Sequence, residues 1–265
     1  MVTRLDWELR EAGPVDAEHT VLLFPGGMCG AGSFAEVMAE PALAGMRLVA
    51  ATLPGHAGAP PPDDYTVENY ARLATELTEQ VGADVLVGFS MGASVAFEMV
   101  VSGTFTGPVV LLGISLSLKD EAAFFRAIVK LGSVFGGAAS SLLAKGAASM
   151  VKRIPVSTER QNELREDFRR NEPQHTKYAL REYVRWLPKY DDPAERLCRA
   201  AVPAWVVHAE KGDGGLTDHE RGTLEACAHV DVVTIPGAVF FLPNEVPEQI
   251  AAVIVEAAQL ANGAA

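Results

Sequence analysis

Gly88-Phe89-Ser90-Met91-Gly92 places a serine between two glycines directly after an apolar run ending at Phe89, and Ala93 to Val101 follows with helical composition up to Gly103. A serine at such a strand-to-helix junction sits on a turn sharp enough to strain its backbone. A β-carbon on either flanking residue would collide with the adjoining strand or helix. Glycines at 88 and 92 remove that collision and leave the Ser90 hydroxyl exposed, in the setting of a nucleophile that attacks a carbonyl carbon. The competing explanation is an ordinary glycine-rich turn, and the junction favours the nucleophile.

Other patterns carry less. Gly30-Ala31-Gly32-Ser33-Phe34-Ala35 satisfies G-x-G-x-x-A, yet no acidic residue ends the next strand near position 50 to hold a ribose, so no dinucleotide is expected. Neither a G-x-x-x-x-G-K-[ST] loop nor a His-Glu-x-x-His pair occurs, and the histidines have no ligand spacing around cysteines. The expectation is that there is no cofactor and no metal. Cys29, Cys198 and Cys227 are odd in number and far apart, and they read as reduced thiols.

A nucleophile needs a scaffold. Short Val-, Leu- and Ile-rich runs recur at Thr20 to Phe24, Arg47 to Thr52, Asp84 to Phe89, Pro108 to Ile114, Pro203 to Ala209 and Val230 to Ile235. Between the second and third, Val67, Tyr70, Ala71, Ala74, Leu77, Thr78 and Val81 follow the spacing of one helix face, with Thr66 as N-cap. Strands alternating with helices imply an α/β fold, a mainly parallel, doubly wound sheet shielded on both faces. Lys119 to Ala200 breaks the alternation. It carries an apolar stripe at Phe124, Ile128, Leu131 and Phe135, a charged helix over Glu159 to Arg170, and an aromatic surface at Tyr178, Tyr183, Trp186 and Leu187. The expected organisation is a core of residues 1–118 and 201–265 with a helical cap at 119–200, serving either as a packed subdomain or as a lid over a pocket.

Composition narrows the partners. The 265 residues are 49% apolar and 21% charged, which suits a globular core, and their formal charge of −12 has the wrong sign for covering phosphates. No nucleic acid partner is expected. Charged residues scattered through the first twenty positions leave no apolar signal-peptide core, so a cytoplasmic location is expected. The glycine- and serine-broken stretch Leu131 to Ala144 falls short of the roughly 20 residues that span a bilayer, so no membrane segment is expected. Subunit number is not written in these features.

With these motifs the chain resembles the α/β-hydrolase superfamily over most of its length. The resemblance makes Gly88-Phe89-Ser90-Met91-Gly92 the nucleophile elbow. Pro25-Gly26-Gly27-Met28 is similar to that family's His-Gly-x loop, which implies that Gly27 and Met91 donate the two oxyanion-hole amides. Cys29 beside this loop reads as a buried neutral thiol. Leu53-Pro54-Gly55-His56 resembles the loop after the next strand. Val206 to Asp213 resembles the strand and turn carrying the family's acid, matched to Asp213, with Glu210 second. The family's Pro-Gly-x-Gly-His-Phe segment aligns with Pro236-Gly237-Ala238-Val239-Phe240-Phe241, so Phe240 occupies the histidine position.

A phenyl ring accepts no proton, and three explanations stay open. Another imidazole acts as base, with His56 and His208 best placed. Alternatively the cavity binds a ligand without cleaving it, or performs cofactor-free lyase or cyclase chemistry. Finally, Phe240 is an engineered change. The resemblance thus implies a serine-hydrolase-like protein for a small apolar ester or thioester with an impaired triad. Its apolar carbonyl ligand would lie among Met28, Phe240, Phe241, Phe124 and Phe125.

Overall fold

The computed structural model describes residues 7–120, 151–152, 154–212 and 215–261. Phe124, Phe125 and Asp213, with the stripe from Phe124 to Phe135, lie outside the described residues. The strands are β1 (Leu9–Ala12), β2 (Thr20–Phe24), β3 (Arg47–Ala51), β4 (Val85–Phe89), β5 (Val109–Leu112), β6 (Ala204–Ala209) and β7 (Val230–Ile235). They form one seven-stranded sheet in the order β1-β3-β2-β4-β5-β6-β7. β1 runs antiparallel to β3 and every other pairing is parallel. The α/β expectation holds, because β2, β4 and β5 are buried along their whole length and must be covered on both faces.

The helices are α1 (Ala35–Met38), α2 (Val67–Val81), α3 (Met91–Val101), α4 (Thr158–Arg170), α5 (Pro173–Trp186), α6 (Pro193–Ala200), α7 (Asp218–Glu225), α8 (Leu242–Glu245) and α9 (Pro247–Ala261). α2 starts where its pattern predicts, with the Thr66 hydroxyl accepting the Asn69 N–H. α2 and α3 pack on one face of the sheet, and α1 and α9 on the other. Between β5 and β6 the described chain contains α4, α5 and α6 and no strand. Leu164 and Phe168 of α4 join the α1/α9 side, whereas Ala179, Tyr183 and Trp186 of α5 join the α2/α3 side.

The strand order reverses between β2 and β4: the chain leaves β2 toward β3 and then crosses to β4 on the other side. In open parallel sheets the crevice outside the strand carboxyl ends at such a point receives ligands, since neighbouring connections part there to opposite faces. The loops after β2 and β4 are those of Gly27 and Ser90.

One expectation is corrected. Cys198 and Cys227 form a disulfide with their Cα atoms 5.9 Å apart, and Cys29 alone is free. The packing of α6 beside α7 brings together residues that sequence separation made look unrelated. Among the described residues no helix is long and apolar enough to cross a membrane, and no group of three His, Cys, Asp or Glu could hold a metal ion.

Candidate active site

Ser90 follows β4 with φ 50° and ψ −115°, and α3 begins at the next residue. The flanking glycines are obligatory. A β-carbon on Gly88 would lie 2.3 Å from the Gly92 oxygen, and one on Gly92 would lie 2.1 Å from the Phe24 oxygen. The turn is therefore locked between β2 and α3 by backbone alone. Ser90 is partly exposed, and among the described residues no hydrogen bond reaches its hydroxyl.

The loop after β2 lies against this turn. A β-carbon on Gly26 would be 3.4 Å from the Ser90 Cβ, and one on Gly27 would be 3.5 Å from the Met91 Sδ. Neither the Gly27 nor the Met91 N–H is taken by a hydrogen bond among the described residues. The two residues that the resemblance pairs are thus adjacent, with neither N–H engaged among the described residues. Met28, next in the chain, has φ 67°. Among the described residues the non-glycine positions with left-handed φ are Met28, Ala57, Ser90 and Ala201, and all but Ala201 gather here. Such backbone costs of order 1–3 kcal/mol per residue and persists only where neighbours over-determine it.

His56 provides part of that determination. It is buried, its Nδ1 accepts the Met28 N–H at 2.9 Å, and its Nε2 faces the Tyr70 hydroxyl at 3.4 Å. An Nδ1 that accepts an N–H fixes the Nε2-protonated tautomer. Burial, with help from the charge of His175, lowers its pKa to about 4. His56 is therefore corrected from candidate base to loop anchor, because the lone pair that would take a proton is already engaged.

His208 is corrected as well. On β6 it alternates with Val207 and Ala209, which pack with the Phe240 and Phe241 side of the sheet, so its ring faces α7 on the opposite side. It is buried, and its Nε2 has no hydrogen-bond partner among the described residues. Burial first, then the charge of Arg221, lowers its pKa to about 4 against the opposing pull of Glu220.

Phe240 stands close to the elbow. Its ring centroid is 5.5 Å from that of Phe89 and 5.1 Å from that of Phe241, both in edge-on geometry. Phe240 is half-buried and Phe241 buried. The loop is held by Glu245, which sequence reasoning missed: its carboxylate accepts the N–H groups of Val239, Phe240 and Phe241 at 2.6–2.9 Å. The turn after β6 abuts it, with the Lys211 N–H donating to the Ala238 oxygen at 2.9 Å and the Gly237 N–H to Glu210 at 2.8 Å. Glu210 thus bonds the backbone of this loop through one carboxylate oxygen. The elements matched to the acid and to the histidine do lie side by side.

Also missed were Asn171 and Asp167 at the end of α4. Asn171 donates to the Met28 oxygen and accepts the Ala57 N–H, while Asp167 accepts the Gly30 N–H. No local motif announces contacts between residues so far apart in the chain. Cys29 meets its expectation, a buried thiol pushed up to about 12 by desolvation and the charge of Asp167.

A model of the alpha/beta hydrolase family matches residues 21–253. No curated protein matches the sequence. Among solved structures, a thermophilic esterase from Thermogutta terrifontis is similar at TM-score 0.75 and 18% identity, over 97% of this chain and 94% of that one. The thioesterase domain from the curacin biosynthetic pathway is similar at TM-score 0.69 and 18% identity, over 95% and 99%. An N-acyl homoserine lactonase is similar at TM-score 0.73 and 16% identity, over 99% and 97%.

Proposed function

From the premise that the chain belongs to the alpha/beta hydrolase family, we propose that it is a serine-hydrolase-like protein for a small apolar ester or thioester, with proton transfer impaired at Phe240. Ser90 is the nucleophile, and the N–H groups of Gly27 and Met91 receive the carbonyl oxygen as it becomes negative. Met28, Phe240 and Phe241 contribute the apolar wall. Residues 119–200 are the proposed cap. Asp213 is the acid that would orient an imidazole if one stood at 240.

The observation carrying this reading is a strained serine beside two open amides, with aromatic rings where a base is needed. Attack by Ser90 Oγ forms a C–O bond, and the hydroxyl proton must leave as it does so. Loss of the base from a Ser-His-Asp arrangement costs on the order of 10⁶ in turnover. From a typical ~10 s⁻¹, about 10⁻⁵ s⁻¹ remains. The same packed rings favour a second reading, a member of the family that binds its carbonyl ligand without hydrolysing it.

The two readings part on Phe240→His. Under the first, an imidazole at 240 reaches Ser90, and hydrolysis of p-nitrophenyl butyrate rises by at least about 100-fold, the lower end of general-base contributions. A fluorophosphonate probe, which labels the parent chain slowly, then labels Ser90 faster. A folded Phe240→His with no gain in either assay sinks the hydrolase reading. Rapid labelling of the parent chain that survives His56→Ala and His208→Ala sinks the impairment.

A further inference from the structure

We infer that Asn171 is a positioning residue for the oxyanion hole: by bridging Met28 and Ala57 it holds the Gly27 N–H beside the Met91 N–H while α4 is seated on the core. The inference rests on the reading of Gly27 and Met91 given above.

The Asn171 carboxamide spans two strained loops. Its Nδ2 donates to the Met28 oxygen at 2.8 Å, and its Oδ1 accepts the Ala57 N–H at 2.9 Å. Flipping the amide would set donor against donor and acceptor against acceptor, so the orientation is dictated by its partners. Both partners have left-handed backbone, Met28 at φ 67° and Ala57 at φ 47°. Met28 is gripped from both ends, because its N–H donates to His56 while its oxygen accepts from Asn171. With that residue fixed, Gly27 immediately before it loses the freedom a glycine would otherwise have.

The same helix reaches the loop again. The Asp167 carboxylate accepts the Gly30 N–H at 3.1 Å, and at the other end of α4 Arg160 bonds Glu36 and the Gly32 oxygen. Gly30, Gly32 and Glu36 all lie between β2 and β3. The shape of the anion-binding loop therefore depends on a helix that the chain contributes much later, between β5 and β6. Displacement of α4 would release the Met28 oxygen and the Ala57 N–H together.

The test uses the full chain and butylboronic acid. Ser90 Oγ adds to boron and releases its proton to solvent, giving a tetrahedral boronate anion whose oxygen occupies the oxyanion position. N-propylacetamide serves as the neutral control. The expected result is boronate binding by the parent chain that disappears in Ser90→Ala. Asn171→Ala should weaken it by about tenfold or more, while the amide changes by less than about twofold, since an oxyanion donor matters most to the charged form. Asn171→Asp, which keeps an acceptor for Ala57 but loses the donor to Met28, should weaken it similarly and covers the case of Asn171→Ala failing to fold. If boronate binding depends on Ser90 yet is unchanged in both Asn171 variants, the inference falls and the functional reading stands. Equal weakening of boronate and amide also overturns it. Absence of Ser90-dependent binding by the parent chain overturns the functional reading, and the inference with it.

Discussion

Two sides of the sheet's carboxyl edge differ in what holds them. On the side of β2 and β4, backbone does the work: left-handed Met28 and Ser90, and glycines that admit no β-carbon. Polar side chains there are used to fix the main chain, with His56 and Asn171 both bonded to Met28. On the side of β6 and β7 the loop backbone is also fixed, by Glu245, but the side chains it presents are the rings of Phe240 and Phe241. Across the sheet from them lies His208, whose Nε2 has no hydrogen-bond partner among the described residues. Backbone geometry here is over-determined by many contacts, whereas proton transfer depends on the identity of one side chain. Under the proposed reading, one half of a catalytic arrangement persists while the other is absent.

The largest effect should come from the first side. In Gly92→Ala the new methyl meets the Phe24 and Pro25 oxygens, atoms of a buried strand end that cannot rotate away. The expected loss is about 3 kcal/mol or more, read as a lowered midpoint in urea unfolding. A midpoint close to that of the parent chain would mean the elbow is looser than these distances imply, and the contrast between the two sides would collapse.

That asymmetry also explains what could be read in advance. The strands from β2 to β7 are legible because they are buried on one or both faces and so appear as apolar runs, and the elbow is legible because its glycines are a steric necessity. β1 escaped notice: Leu9–Ala12 is an exposed edge strand whose residues alternate in no way that betrays a sheet. The Cys198–Cys227 pair escaped because only the packing of α6 on α7 brings its ends together. Asn171 and Glu245 escaped for a different reason. A side chain that bonds main chain can be any of several polar residues at almost any position, so its role appears only when the backbone it grips has coordinates. Motif alone aligned Phe240 with the family's histidine, yet it could not tell where the side chains of His56 and His208 lie.

His208 sharpens the comparison from the second side. Its ordinary pKa of 6.5 falls to about 4 in the fold, so the unfolded chain takes up the proton first and stability is lost as pH falls from 6.5 through 4. His56 behaves likewise. Asp120 acts in the opposite sense: burial, with the nearby Glu220, raises it to about 7, so its contribution is lost as pH rises from 3.8 through 7. A difference between two chains cancels these shared terms. His208→Leu removes a buried nitrogen that has no partner among the described residues, and it should gain on the order of 3 kcal/mol relative to the parent chain on going from pH 7 to pH 4. A pH-independent difference would place His208 among partners that stabilise its charged form.

Glu245→Ala asks whether the loop backbone on this side is as firmly set as that around Met28. Three N–H groups lose a shared carboxylate. The cost should be about 2 kcal/mol, reduced from the sum of charge-assisted bonds because Val239 is exposed and water can replace part of them. Faster amide hydrogen exchange confined to residues 239–241 is the accompanying signature. Unchanged exchange there would mean that the turn after β6, through Lys211 and Ala238, holds the loop by itself.

The smallest effect should attend Phe240→Leu. The ring is half-buried and meets Phe89 and Phe241 in T-shaped, edge-to-face geometry. Exchanging it for a smaller apolar side chain forfeits aromatic pair contacts worth about 0.5–1.5 kcal/mol and leaves a gap partly open to solvent. A loss of about 1 kcal/mol in urea unfolding is expected, well below that of Gly92→Ala. If Phe240→Leu instead costs as much as the glycine substitution, Phe240 is a core residue that the fold requires. The ring at this position would then reflect packing demand. A loss near 1 kcal/mol leaves the position free to vary chemically, so that an imidazole could be installed on a loop whose backbone Glu245 already holds.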